Sequence, residues 1–122
     1  MPRDARKEGY SRRHRFAVQG SFGAVLRSPR KFRTRLAVIH AAPARMGSSR
    51  LGIALTRRLI GSAVHRNHVK RLVREIFRRH PVRSAGFDCV VALRERFTPA
   101  DSPSIRADVR VLFDRLYETA NP

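Results

Sequence analysis

The side chains suited to covalent or metal-assisted chemistry are scattered along this chain of 122 residues. A metal-dependent nuclease gathers carboxylates, and an acid–base nuclease pairs histidines. Here Asp88, Asp101, Asp108 and Asp114 lie far apart, and the last three read as cap and helix-surface residues. His14, His40, His65, His68 and His80 include no H-x-x-x-H pair with a further ligand. The single cysteine, Cys89, lies inside an apolar run and is expected to be buried and inert. The pattern predicts no catalytic residue and no protein metal site. The arginines differ, because their spacing is regular. Arg66, Lys70, Arg74 and Arg78 follow one another at intervals of four, with Arg71 beside them. The chemistry this pattern supports is non-covalent capture of an anion by charge and planar hydrogen bonding.

Those cations need an element to hold them. The segment from Ser62 to Arg79 has helical periodicity. At 100° per residue Val69, Leu72, Val73, Ile76 and Phe77 share one arc, which must face a core. Asn67, Arg71, Arg74 and Arg78 point the other way. Lys70 lies along one flank, with Arg66 nearer the apolar arc, and His68 and Glu75 lie along the other. Like charges four apart repel by roughly 0.2–0.5 kcal/mol per pair, and Glu75, four residues after Arg71, is the only relief expected. An external anion would match such a row.

The whole chain carries the same signal. It has 27 Lys and Arg against 9 Asp and Glu, a formal net charge of +18. From Gly9 to Arg74 there is no acidic residue but 16 basic ones, whereas the remainder is near neutral. The asymmetry implies a polyanionic partner, since solubility needs no acid-free stretch of that length. A hydrophobic fraction of 42% indicates a folded chain, and the length indicates one domain. We expect a basic arm at 1–15 and a single binding domain at 16–122. No apolar run approaches the ~18 residues of a membrane span, and Met1 to Glu8 is followed by no secretory apolar region. A lone cysteine permits no intrachain disulfide, so a cytoplasmic setting is expected, with no membrane partner.

The elements follow in order. Ser21 to Ser28 is a short helix candidate, stopped by Pro29. Residues 31–42 form a strand or hairpin pair, and Leu51 to Leu55 a buried strand. After the central helix, Gly86 marks a turn and Phe87 to Leu93 another buried strand. Ser102-Pro103 is expected to cap and open the last helix, whose apolar face is Ile105, Val109, Leu112, Phe113 and Leu116. The strands flanking the central helix should be parallel. The expected class is α+β, a two-layer sandwich on a four-stranded sheet.

R-N-H-V-K-R-L-V-R-E, from Arg66 to Glu75, together with Arg57-Arg58, resembles the signature of the bacterial ribonuclease P protein component. That signature has an Arg-Asn-Arg core, a hydrophobic residue, Lys-Arg, then Arg-Glu or Arg-Gln. Arg66, Asn67, Lys70, Arg71, Arg74 and Glu75 match, and His68 stands where the family usually has arginine. Leu51-Gly52-Ile53 before Thr56-Arg57-Arg58, and Arg15-Phe16 before Phe22, resemble flanking parts of the family over roughly residues 12–117.

The resemblance implies the order helix, three strands, helix, strand, helix, with a left-handed crossover through the motif helix. It implies an accessory subunit of an RNA-based endoribonuclease, in which the RNA and its Mg²⁺ do the catalysis. The implied partners are the ribonuclease P RNA and precursor tRNA, with the Mg²⁺ held mainly by RNA. RNA binding would fall to Arg57, Arg58, Arg66, Asn67, His68, Lys70, Arg71 and Arg74. The single-stranded 5′ leader would lie in a cleft with Phe16, Phe22 and His40, where aromatic faces can stack on unpaired bases. The alternative is a ribosomal or other structural RNA-binding protein without enzymatic role. A DNA-binding regulator would want a helix-turn-helix, whereas this central helix leads into a strand, so no DNA partner is expected.

Overall fold

The computed structural model describes residues 25–44, 48–55, 58–96 and 98–120. The arm at 1–15, the start of the domain at residue 16 and most of the first helix candidate lie outside the described residues, although Val25 and Leu26 are helical. The elements are β1 (Arg30–Arg33), β2 (Ala37–Pro43), β3 (Arg50–Ala54), α1 (Ala63–Arg79), β4 (Phe87–Leu93) and α2 (Ser102–Ala120), with short 3₁₀ turns at Pro81–Ser84 and Pro99–Asp101. They form an α+β fold on one four-stranded sheet in the order β1-β2-β4-β3. The hairpin β1–β2 and the pair β2–β4 are antiparallel, and β3 lies parallel to β4, joined to it through α1.

Strand alternation sorts the side chains. Phe32, Ile39, Ala41, Leu51, Cys89 and Val91 share one face of the sheet by register. They join one core with Val69, Leu72, Val73, Ile76 and Phe77 of α1 and Ile105, Val109, Leu112, Phe113 and Leu116 of α2. Both apolar arcs are therefore the ones the periodicity predicts. Burial pushes the Cys89 thiol far up, with the neighbouring Asp88 charge adding to the effect, so no thiolate forms near neutrality.

Polar ties lock this packing. Asp108 of α2 accepts from the Thr34 hydroxyl at 2.7 Å and from the Leu36 N–H at 3.1 Å, pinning the β1–β2 turn to the last helix. The start of α2 corrects the expectation from sequence. Ser102 is its first residue, and the cap lies earlier, where Thr98 and Asp101 form a capping box around the 3₁₀ turn. On the sheet face away from α1, Asp88 is buried and bound by Arg50 through two hydrogen bonds of 2.9 and 2.7 Å.

Ser49 is fully buried. Its hydroxyl donates to the Val82 carbonyl at 2.7 Å and accepts from the N–H groups of Gly86 and Phe87 at 3.0 and 2.8 Å. It ties the approach to β3 to the turn between α1 and β4, where Gly86 takes φ of 83°. Ser49→Ala takes the partner from the buried Phe87 N–H and the half-buried Gly86 N–H, while the Val82 carbonyl keeps the Ala85 N–H at 3.0 Å, and is expected to cost about 2 kcal/mol in urea unfolding. A loss below about 0.5 kcal/mol would mean that water or a shifted backbone replaces the hydroxyl.

Candidate nucleic-acid interface

α1 begins at a polar cap, with the Ser62 hydroxyl accepting from the His65 N–H at 3.2 Å. Its first turn contains no acidic residue, so nothing on the helix offsets the positive end of its dipole. Asn67, His68 and Arg71 are exposed, and Lys70 and Arg74 are half-buried along the same outward side. Arg58 is exposed in the turn before the helix, whereas Arg57 lies outside the described residues.

Two cations of the predicted row, Arg66 and Arg78, have other work. Arg66 folds back to donate to the carbonyls of Ile60 at 2.8 Å and Gly61 at 3.0 Å, closing the turn that leads into α1. Glu75 does not relieve Arg71. It accepts from Arg78 and, at 3.0 Å, from Arg79, and the Arg78 hydrogen bond holds its carboxyl below the usual glutamate range. The repulsion among Lys70, Arg71 and Arg74 therefore has no such outlet in Glu75. The structure adds Val64, an apolar side chain 80% exposed on the outward side of the first turn. The helical periodicity could have singled it out, because Val64 stands seven residues before Arg71 and so falls opposite the buried arc.

His68 stands at the rim of α1, its Nε2 3.5 Å from the Ser102 hydroxyl of α2 and its ring 6.5 Å from that of His65. His80, at the far end, is structural. Its Nδ1 accepts from the Val82 N–H at 3.0 Å, so the proton lies on Nε2 and is donated to Asp114 at 2.6 Å. This His–Asp pair has no ring nitrogen left to act as a base.

The remaining candidate, His40, lies on the other face of the sheet. Register places it beside Lys31 of β1 and Val90 of β4, with Arg33 next to Val38. Val90 is wholly buried on this face although it lies outside the main core cluster. The sheet therefore separates two surfaces. Asn67, His68, Lys70, Arg71 and Arg74 go with the helices, and His40, Lys31 and Arg33 with the opposite side. Phe16 and Phe22, expected on the second surface, lie outside the described residues.

Desolvation lowers the His40 pKa, and the charges of Lys31 and Arg33 lower it further. The imidazole is neutral at pH 7, and its Nδ1 is enclosed without a hydrogen-bond partner among the described residues. A histidine whose folded pKa lies below its unfolded value of about 6.5 costs stability as the pH falls through that value, because the unfolded chain takes the proton more readily. Unfolding between pH 8 and 5 should therefore show a decline in stability below pH 6.5 that His40→Gln flattens. An identical decline in the variant would assign it to other groups.

Among the described residues no group of three or more His, Cys, Asp or Glu could hold a metal ion, and no helix is long and apolar enough to cross a membrane. The acidic side chains of Glu75, Asp88, Asp101, Asp108 and Asp114 are each bound to a protein partner.

Comparison with known proteins agrees with the sequence resemblance. The family model described as Ribonuclease P matches residues 10–117. The ribonuclease P protein component of Nitrosomonas europaea is 36% identical over 94 residues, covering 77% of this chain and 79% of that protein. The Thermotoga maritima RNase P protein structure is similar at 30% identity and a TM-score of 0.60, covering 87% of this chain and 94% of that one. The Staphylococcus aureus RNase P protein structure shares the fold, with a TM-score of 0.71 at 24% identity, covering 84% of this chain and 94% of the other.

Proposed function

The chain belongs to the ribonuclease P protein component family, as a tRNA-processing subunit of an endoribonuclease, and from this premise we propose that it binds the ribonuclease P RNA through the outward side of α1 and the 5′ leader of precursor tRNA across the opposite face of the sheet. The observation that supports this most is that the motif residues Asn67, Lys70 and Arg71 turn outward while every apolar residue of the same motif is committed to the core. Fork-shaped guanidinium groups and an amide on a rigid helix suit a phosphate backbone of fixed shape. The helix can hold that side outward only because the sheet occupies the other.

His40, opposite Lys31 and diagonal to Arg33, provides the second surface with a neutral hydrogen-bonding ring beside two cations of β1. That combination suits an unpaired strand, in which bases and phosphates are both within reach. Catalysis in this reading belongs to the RNA and its Mg²⁺. The described carboxylates bound to protein partners leave the RNA phosphates as the natural ligands of the metal. The cytoplasmic setting and the left-handed crossover belong to the same proposal, supported by the lone buried Cys89 and by the family resemblance respectively.

The test is cleavage of a precursor tRNA by a bacterial ribonuclease P RNA at low Mg²⁺, with and without this protein. Strong stimulation that requires the RNA is expected. Cleavage by the protein alone would overturn the reading in favour of a protein nuclease. Tight, salt-sensitive RNA binding without stimulation would favour a structural RNA binder.

A further inference from the structure

Two arginines of α2 lie outside the family motif. Arg106 and Arg110 are exposed, and neither pairs with a carboxylate among the described residues. They belong to one row along the helix, Ser102, Arg106, Arg110 and Asp114, each four residues from the next. Both ends of that row touch α1. Ser102 lies 3.5 Å from His68, and Asp114 lies 2.6 Å from His80. Each contact joins residues 34 apart in sequence, so the helices run side by side in the same direction. The row therefore follows the seam between them for about 18 Å. Arg106 and Arg110 occupy its middle, level with Leu72 and Ile76 of α1. Those two residues point into the core, and the accessible α1 side chains at that level are Glu75, bound to Arg78 and Arg79, and Arg71 on the outward side.

The nearby carboxylates make other contacts, and none forms an ion pair with Arg106 or Arg110 among the described residues. Asp114 holds His80, Asp108 holds Thr34 and Leu36, and Glu75 holds Arg78 and Arg79. Arg115, on the far flank of α2, lies over the Phe32 ring at 5.1 Å. What remains is two exposed cations one helical turn apart, without an ion-pair partner among the described residues, beside the charge of α1 in a chain of net charge +18. We propose that Arg106 and Arg110 form a second track of phosphate contacts, on α2, gripping the same ribonuclease P RNA as α1. The inference rests on the proposed function and extends its surface from one helix to two.

The full chain is titrated with ribonuclease P RNA across salt concentrations, as wild type, R71Q, R106Q/R110Q and R106K/R110K. The RNA–protein complex of each is then titrated with precursor tRNA. R106Q/R110Q should weaken RNA-subunit binding about tenfold and reduce the slope of log K against log salt by about 1.4–1.8, two phosphates' worth. R106K/R110K should keep the slope, and thermal melting should be unchanged, because both side chains are exposed. Wild-type affinity and slope in R106Q/R110Q, with R71Q impaired, would overturn the α2 track and leave the α1 reading standing. A loss confined to precursor tRNA would overturn the assignment to the RNA subunit. Failure of the wild-type protein to bind the RNA would overturn both readings.

Discussion

Reversing two charges on α1, K70E/R71E, should lower affinity for ribonuclease P RNA by about a hundredfold or more while leaving the protein folded, since each charge-assisted hydrogen bond is worth ~1.5–3 kcal/mol. The side chains lie on the outward side of the helix, away from the core arc, so no cavity results. Stability should not fall by more than about 0.5 kcal/mol. Lys70 stands four residues from both Arg66 and Arg74, so a glutamate there replaces two repulsions by attractions of roughly 0.2–0.5 kcal/mol each. Arg71→Glu places a like charge four residues before Glu75, but Arg78 and Arg79 already hold that carboxylate. The measurement is filter binding over a salt series, with circular dichroism of the same samples. A lower affinity with a shallower salt slope supports phosphate contacts at these positions. Wild-type affinity and slope would remove the outward side of α1 from the interface.

Phe77→Ala should act in the opposite way, costing about 4 kcal/mol of stability, within the ~3–5 kcal/mol typical of a buried phenylalanine truncation. Phe77 is fully buried, with its ring centroid 5.7 Å from that of Phe113 and the planes tilted by 59°. This tilted pair contributes roughly 0.5–1.5 kcal/mol beyond the area it buries. It also joins α1 to α2, whose contacts at His80 hold the lower end of the seam. Domains of this kind are stable by only ~5–15 kcal/mol, so the variant should unfold at far lower urea with an unchanged m value. RNA affinity should return to nearly the wild-type value under conditions that keep the variant folded. A loss below about 1.5 kcal/mol would mean that α1 is not seated on α2 through this ring.

These two variants separate what local pattern encodes from what the tertiary structure adds. The arcs of α1 and α2 were legible because burial imposes a period of 3.6 on apolar residues, the strand at Phe87 to Leu93 as an apolar run after the Gly86 turn, and the parallel pairing from the helix that separates the two strands. The outward placement of Asn67 and Arg71 follows from the same rule, since an apolar arc on one side dictates what lies on the other. His40 was legible as a strand residue. Its separation from α1 by the thickness of the sheet needed the register with Lys31 and Val90.

By itself the amino-acid sequence determined the family, the mixed α+β class, the basic side of the central helix and the absence of acid from Gly9 to Arg74. Only the tertiary structure decided which charges are committed. Arg66 turns back to the Ile60 and Gly61 carbonyls, Glu75 chooses Arg78 and Arg79 over Arg71, and Asp108 reaches Thr34 across the fold. Ser49, with no motif around it, becomes the buried centre of three hydrogen bonds. The physical reason is range. Periodicity reports which side of an element is dry, whereas a hydrogen bond depends on which groups the closed chain brings within about 3 Å of each other.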